Sequence, residues 1–317
     1  MGYNCPMALK ITTLGEVLVD LTQTSVSENG IINFTANPGG APANAAVAAS
    51  RLGAESAFIG CVGQDSFGKY LSDTLKENKV DISGLQVTDN ASTTIAVVTV
   101  DETGERSFSF LRKPGADMLL DADRAIASAR NTGILHFGSV SLTSEEPRNT
   151  IKKIVSTLKE DGAIITYDPN YRASLWENEA EAIKYMREVI PFADIMKISD
   201  EETLLLTGEK DAKKASLALH SQGVKLVLVT LGSNGAFFST GSIAGTVPGY
   251  KVKVADTNGA GDTFFGAFLS RIALRGGIDN ITEKELKEYV DFANKAASIT
   301  ASRRGAIPAM PYLGEIL

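Results

Sequence analysis

Asp256, Asn258, Gly259, Ala260, Gly261 and Asp262 fall within one short run, and their types and order suit a particular chemistry. A glycine-alanine-glycine loop opening into the apolar stretch from Thr263 to Arg275 exposes several backbone N–H groups at a helix start. Unpaired donors and the helix dipole favour an anion there. Asp262 then stands beside a bound phosphate, where a carboxylate serves as a general base. Phosphoryl transfer to a hydroxyl needs that pairing of donors and base. The same residues also fit a structural turn with an aspartate capping the helix, so the spacing alone leaves two readings open.

Other polar clusters follow apolar runs along the chain. Pro38-Gly39-Gly40-Ala41-Pro42-Ala43-Asn44 is a second glycine-rich helix entry, and the Asn44 amide can meet a ligand with both a donor and an acceptor. Close backbone packing explains the small residues equally well. Asp20, read at the end of a first strand over 8–21, lies where open α/β sheets bind ligands and can accept two hydroxyl protons of a polyol. Asp168 to Arg172, Lys197 to Glu202 and Thr230 to Gly235 also stand at expected strand ends. Together these clusters imply one ligand-binding edge. Gly63 to Tyr70 nearly spells a phosphate-binding P-loop with Lys69, but Tyr70 replaces the small hydroxyl that would hold the metal. It reads as a turn with Asp65 near a helix start.

Several classes drop out. No G-x-G-x-x-G follows the first strand and no G-x-S-x-G elbow exists, and His136 and His220 read as structural. The net charge is −7 with no basic block, which argues against a nucleic-acid partner. Two cysteines, Cys5 and Cys61, make neither a disulfide framework nor a metal spacing. No apolar run approaches the ~20 residues of a membrane span, and the first residues carry no signal pattern. A soluble cytoplasmic protein without membrane contact is expected.

The elements that must position these residues alternate. Strands are expected at 8–21, 56–62, 82–87, 133–137, 163–168, 193–198 and 225–230. Helices are expected at 41–52, 66–78, 146–160, 178–190, 200–207, 211–221, 261–276 and 283–302. Hydrophobic residues at 44% and charged residues at 22% suffice for a sizeable core. The pattern predicts an α/β fold, a mainly parallel sheet covered by helices on both faces. Ile31 to Phe34, and a hairpin of 93–100 with 106–111 around Asp101 to Gly104, break the rhythm. They predict a small antiparallel β lid with an apolar face. The core then takes 8–24, 37–90 and 117–317, and the lid 25–36 and 91–116.

These motifs are recognisable together. Asp256 to Phe264 and Pro38 to Asn44 resemble the two signatures of the ribokinase-like (phosphofructokinase-B type) sugar kinases, and the likeness runs over nearly the whole chain. Gly15 to Asp20, Leu111 to Leu120, Tyr167 to Arg172 and Lys197 to Glu202 look most similar to fructokinase segments. The resemblance implies Asp262 as base and the amides of Asn258, Gly259, Ala260 and Gly261 as an anion hole. It places Asp20, Gly39, Gly40 and Asn44 on the sugar, Arg112 near the substrate, and Arg172 on the transferring phosphate. Thr230, Gly232, Gly235 and Asn294 would lie along the nucleotide, with Lys197, Ser199 and Glu202 near its phosphates. The family commonly carries N-x-x-E there; here Ser199 takes the first place and Glu202 is retained, so no residue is assigned as a direct Mg2+ ligand. A monovalent cation, K+ in this reading, would sit by Asp256 and Asn258, next to the Arg303 to Ala306 turn. The implied activity is ATP- and Mg2+-dependent phosphorylation of D-fructose at its terminal hydroxyl. The same chemistry on 2-keto-3-deoxygluconate, ribose or a nucleoside, or a non-catalytic sugar-binding relative, are the alternatives. A homodimer through the lid is expected.

Overall fold

Residue parity organises the core. In the strand Thr132–Gly138, Leu135 and Phe137 join one apolar cluster while Ile134 joins another. Successive side chains of a strand point to opposite faces, so both faces of this sheet are covered. The computed structural model describes residues 7–100 and 106–317. Cys5 and the hairpin turn expected at 101–104 lie outside the described residues.

Strands β1 (Lys10–Leu14), β2 (Leu18–Val26), β3 (Ile32–Gly39), β4 (Ser56–Gly63), β5 (Asp81–Thr88), β6 (Ile95–Val100) and β7 (Arg106–Leu111) come first. They are followed by β8 (Thr132–Gly138), β9 (Ile164–Asp168), β10 (Ile195–Ser199), β11 (Leu226–Thr230), β12 (Ala236–Ser239) and β13 (Ala244–Val247). The large sheet has the order β13-β12-β11-β10-β9-β8-β1-β4-β5 and is parallel from β11 to β5; β12 and β13 are antiparallel additions at one edge. The small sheet, β3-β2-β6-β7, pairs β2 with β6 in parallel and is otherwise antiparallel.

Helices α1 (Ala41–Arg51), α2 (Ser66–Glu77), α3 (Ala122–Ser128), α4 (Glu145–Glu160) and α5 (Glu179–Glu188) are followed by α6 (Asp200–Thr207), α7 (Ala212–His220), α8 (Ala260–Arg275) and α9 (Glu283–Ala301). On one face Ile151, Ile154 and Leu158 of α4 and Met186 of α5 pack on Leu135, Phe137, Ile165 and Tyr167. On the other, Phe264, Phe265 and Phe268 of α8 and Val290 of α9 pack on Ile11, Ile134, Ile195 and Leu228. Burial of this kind contributes about 25 cal/mol per Å² of apolar surface removed from water.

The close pairing of α1 with α8 matters most for the site. A Cβ on Gly266 would lie 2.6 Å from the Ala45 carbonyl oxygen and 2.8 Å from Ala48 Cβ. The alanine-rich face of α1 therefore sits almost against the α8 backbone.

Two expectations change. The single strand over 8–21 is broken at Gly15, whose φ of 145° no side-chain-bearing residue adopts readily. A Cβ there would also meet Pro42 Cγ at 2.9 Å. The chain turns and leaves the large sheet, so Asp20 belongs to β2 in the small sheet, not to the end of a core strand. The small sheet takes in 18–26 and 32–39, and β3 absorbs the turn expected at Pro38 and Gly39. The β12–β13 hairpin and α3 had no sequence expectation. Their 4, 4 and 7 residues are shorter than a periodic pattern needs to declare itself.

Candidate active site

Asp262 lies in the first turn of α8, 9% exposed, and holds two amides. Asn44 Nδ2 of α1 donates to its Oδ2 at 2.8 Å, and Asn170 Nδ2 donates to its Oδ1 at 3.2 Å. Asn170 follows β9 with a φ of 47°, a left-handed conformation that asparagine tolerates and that turns its amide back over the sheet edge. Burial raises the Asp262 pKa, while the Asn44 hydrogen bond and the charges of Lys197 and Arg172 pull it back down. A carboxylate held between two amides, with its proton affinity raised, is equipped to take a proton from a hydroxyl.

Of the loop N–H groups expected to receive an anion, only some are unpaired among the described residues. Asn258 N–H is committed to Asp256 Oδ1 at 3.1 Å and Ala260 N–H to the Thr257 carbonyl at 3.2 Å. The N–H groups of Gly259 and Gly261 have no acceptor among the described residues. Gly259 has a φ of 74°, and a Cβ there would meet Ala306 Cβ at 2.8 Å. Both conditions demand glycine. A Cβ on Gly261 would sit 3.2 Å from Lys197 Nζ, so the buried ammonium lies directly behind the cradle.

A cavity of about 310 Å³ opens on the Asp262 side. Asp20, Gly40, Asn44, Arg172, Asn258 and Gly259 line it. So do Glu16, Asn170 and Ala306, and Leu18, Ala96 and Phe110 of the small sheet. The sequence reading named none of them singly as a site residue, though Asn170 fell in an expected polar cluster, Ala306 in the expected cation-side turn, and Ala96 and Phe110 in the expected lid. Asp20 reaches over from β2. A Cβ on Gly39 would come within 2.3 Å of Asp20 Oδ2, so Gly39 acts by making room rather than by facing the cavity. Burial pushes Asp20 up to about 6, opposed by Arg172 and reinforced by Asp262 and Asp256. Glu16 is buried and pushed up to about 7 by desolvation; its Oε1 accepts the Ala41 N–H at 3.1 Å.

Arg112 is not part of this lining. It is 9% exposed and locked against Asp117, with Nη2 2.7 Å from Asp117 Oδ2.

Two further cavities meet the first around the α8 loop. One, of about 610 Å³, is lined by Lys197, Ser199, Glu202, Arg172, Thr230 and Gly232. The other, of about 590 Å³ and predominantly apolar, is lined by Thr230, Gly232, Gly235, Gly261, Asn294 and the segment from Tyr250 to Val254. Thr230 and Gly232 therefore stand at the junction of both. Gly235 is structural, since a Cβ would fall 2.0 Å from the Val247 carbonyl. Asn294 Nδ2 is committed to the Val247 and Pro248 carbonyls, both at 3.2 Å. Tyr250, Val252 and Val254 were missed because they form no regular strand; their alternation just before Asp256 was the available signal.

The polar edge is arranged by local structure. Lys197 Nζ donates to Asp168 Oδ2 at 2.8 Å. Burial opposes its charge, but the carboxylates of Asp168, Glu202 and Asp262 hold its pKa above the ordinary lysine value. Ser199 and Glu202 form a capping box on α6, and Glu202 Oε1 also accepts the Tyr171 N–H at 2.8 Å. Serine serves as an N-cap as well as asparagine does, so the replacement in the family pattern leaves this corner intact. Arg172 is exposed at the mouth shared by two cavities. Asp256 accepts the N–H groups of Asn258 and Gly305, tying the loop to the Gly305 turn.

Gly63 to Tyr70 has another purpose. Asp65 caps α2 by accepting the Gly68 N–H at 2.8 Å and also accepts the Thr93 N–H at 2.8 Å. Lys69 is exposed and pairs with Asp73. His136 packs edge-on to Phe265, and His220 bridges the Val224 carbonyl and Ser239.

In this arrangement a smaller cavity with several charged and amide groups and a larger, predominantly apolar one flank a helix start carrying a buried carboxylate. A model of the pfkB family carbohydrate kinases matches residues 8–313. The chain belongs to that family. This pfkB member is 41% identical over 311 residues to probable fructokinase-2 of Arabidopsis thaliana, covering 97% of this chain and 94% of the relative. The crystal structure of fructokinase with bound ATP from Xylella fastidiosa superposes with a TM-score of 0.86 at 32% identity, covering 97% of this chain and 96% of that one. A fructokinase double mutant from Vibrio cholerae, in a fructose-, ADP- and potassium-bound form, gives 0.87 at 32% identity and 98% coverage of both chains. The pfkB chain described here is an ATP-dependent sugar kinase of ribokinase-like fold. No helix among its described residues is long and apolar enough to cross a membrane.

Proposed function

We propose that this kinase transfers the γ-phosphate of ATP to the terminal 6-hydroxyl of D-fructose, with Asp262 as general base. The observation that carries the reading is the position of Asp262. It faces the cavity lined by Asp20 and Asn44 and stands beside the unpaired N–H groups of Gly259 and Gly261. In this reading Asp20 and Asn44 orient the sugar and Leu18, Ala96 and Phe110 cover it. Closure excludes water that would otherwise take the phosphoryl group. The Asp262 carboxylate then accepts the hydroxyl proton while the loop amides, Lys197 and Arg172 meet the charge on the phosphoryl oxygens. The apolar cavity lined by Thr230, Gly232 and Asn294 takes the nucleotide in this reading.

The donor set fits a magnesium ion held mainly by phosphates. Among the described residues no three acidic, histidine or cysteine side chains converge on one metal position. Mg2+ characteristically keeps several waters and uses substrate phosphates with one or two carboxylates. Glu202 is among the carboxylates that line the cavity of about 610 Å³, with Glu179, Asp200 and Glu201. Asp256, which ties the α8 loop to the Gly305 turn, would serve with Asn258 a monovalent cation in this reading; the Vibrio cholerae relative is in a potassium-bound form.

The small sheet, β2, β3, β6 and β7, acts as the lid in this proposal, in place of the expected 25–36 and 91–116. The exposed apolar residues Val26, Ile31, Ile32, Phe34 and Leu111 support a homodimer formed through it. Light scattering at micromolar concentration tests that; a monomer counts against it. A cytoplasmic setting belongs to the same reading.

The deciding experiment is a panel of sugars and nucleosides with ATP and Mg2+, ranked by kcat/KM. Fructose is expected first, with 6-phosphate as the product by NMR. A higher rank for 2-keto-3-deoxygluconate, ribose or a nucleoside would overturn the substrate while leaving the chemistry in place.

A further inference from the structure

The small sheet joins the large one through four chain crossings, and buried polar groups gather at all of them. Glu16, between β1 and β2, accepts the N–H of Ala41, the first residue of α1 directly after the β3 crossing. Thr94 precedes β6 and donates its hydroxyl to Asp117 Oδ1. Arg112 follows β7 and donates through Nε to Asp117 Oδ2 at 2.8 Å. The same guanidinium reaches Thr143 Oγ1 at 2.8 Å and the Val140 carbonyl at 3.2 Å, in the turn after β8. Arg112 and Asp117 also bear on Glu16 electrostatically, so the crossings share one charged cluster.

Asp117 is 5% exposed, and its neighbour Ala116 is fully buried in the large core cluster. Both ends of the β6–β7 hairpin are thus held by one carboxylate rooted in the core. Gly115 is part of the fit: a Cβ there would lie 2.0 Å from Thr94 Oγ1 and 2.7 Å from Asp117 Oδ1. β6 pairs with β2, which carries Asp20, and the Val140 that Arg112 holds lines the sugar cavity. Arg112 itself does not line that cavity.

We propose that Arg112 and Asp117 form a latch that sets the angle of the small sheet over the sugar cavity, Arg112 acting as a positioning residue and not as a sugar contact. Loosening it swings Asp20, Ala96 and Phe110 together while the nucleotide cavity, built from β11 to α9, stays as it is. The kinetic part of this inference rests on the sugar-kinase reading above; the structural part does not.

A double-mutant cycle with Arg112→Met and Asp117→Asn tests it, read by hydrogen exchange on the ligand-free protein. Each single variant is expected to exchange about tenfold faster in β2 and β6, and the double no faster than the worse single, since contacting residues are strongly non-additive. Exchange in β9, β10 and β11 is expected to stay at wild-type rates. With the sugar that proves to be the best substrate, KM for sugar should rise about tenfold or more while KM for ATP changes little, as misplaced positioning groups cost up to about 10²-fold. Unchanged exchange in both singles, with turnover lost only in Arg112→Met, would make Arg112 a substrate contact and overturn the latch. Additive effects on exchange would overturn it too. If both singles fail to fold, Arg112→Lys keeps a charge for Asp117 but loses the span to Thr143 and Val140; protection equal to wild type in that variant sinks the proposal. Failure of the fructose assignment would appear separately, as a wild-type enzyme inactive on fructose with the exchange pattern intact.

Discussion

Asn44 and Asp262 are 218 positions apart in the chain and 2.8 Å apart in space. The hydrogen bond exists because α1 and α8 approach closely at Gly266, and it couples α1 to the proposed base. Replacing Asp262 with asparagine is expected to lower kcat by about 10²–10⁴-fold with unchanged circular dichroism and melting temperature, the usual contribution of a positioned base. Near-normal turnover in that variant would sink the mechanism.

Asn44 also tunes the proton affinity of Asp262. Its donor stabilises the ionised carboxylate, so removing it raises the Asp262 pKa further. The acidic limb of the kcat/KM profile in Asn44→Ala should therefore move to higher pH. A limb that stays in place, or moves down, contradicts the assignment.

Asp20 sets a second pH dependence, on binding. Held up at about 6, it loses its charge as pH falls through that value and can then no longer accept two hydroxyl protons. KM for sugar should rise below about pH 6 in the wild type, and Asp20→Asn should show a high KM that no longer varies there. Isothermal titration with sugar alone, from pH 5 to 8, measures this without turnover.

Lys69→Ala is expected to leave kcat and KM within about twofold of wild type, because exposed ion pairs contribute little. Loss of activity would revive Gly63 to Tyr70 as a phosphate loop.

Glu285 is held down at about 2 by the Thr282 hydroxyl and N–H, with Arg275 adding to them. Its folded value lies below its unfolded one, so its contribution is present above the unfolded value of about 4.5 and fades as pH falls towards 2. Glu285→Gln should lower the melting temperature at pH 7, with the gap to wild type closing between about pH 5 and 2. A gap independent of pH would assign the effect to packing instead.

Much of this site could be read from residue types. Asp262, the glycine loop, Asn44, Thr230 and Gly232 converge as expected because each stands where a strand or helix ends, and such ends share one edge of a parallel sheet. Asp20 was found for an incomplete reason. Its type marked it, but Gly15 sends it to the lid sheet, and one glycine among 29 does not declare a left-handed break. Arg112 carries a charge beside a recognisable motif, yet its partner Asp117 is what decides its place, and pairing of two buried charges leaves no periodic trace. Ala96 and Phe110 fell in the hairpin expected as a lid, but Leu18 read as an ordinary strand residue, because only the crossing of the small sheet brings all three to one cavity.

Gly266 is where a stability engineer would begin, since glycine inside a helix costs about 1 kcal/mol relative to alanine. In α8 that repair collides with the Ala45 carbonyl at 2.6 Å. Wedging the helices apart would lengthen the Asn44–Asp262 contact one turn away. The overpacking, about 1–3 kcal/mol, would outweigh the propensity gain, so the substitution loses heat tolerance and turnover together at a residue that lines none of the three cavities.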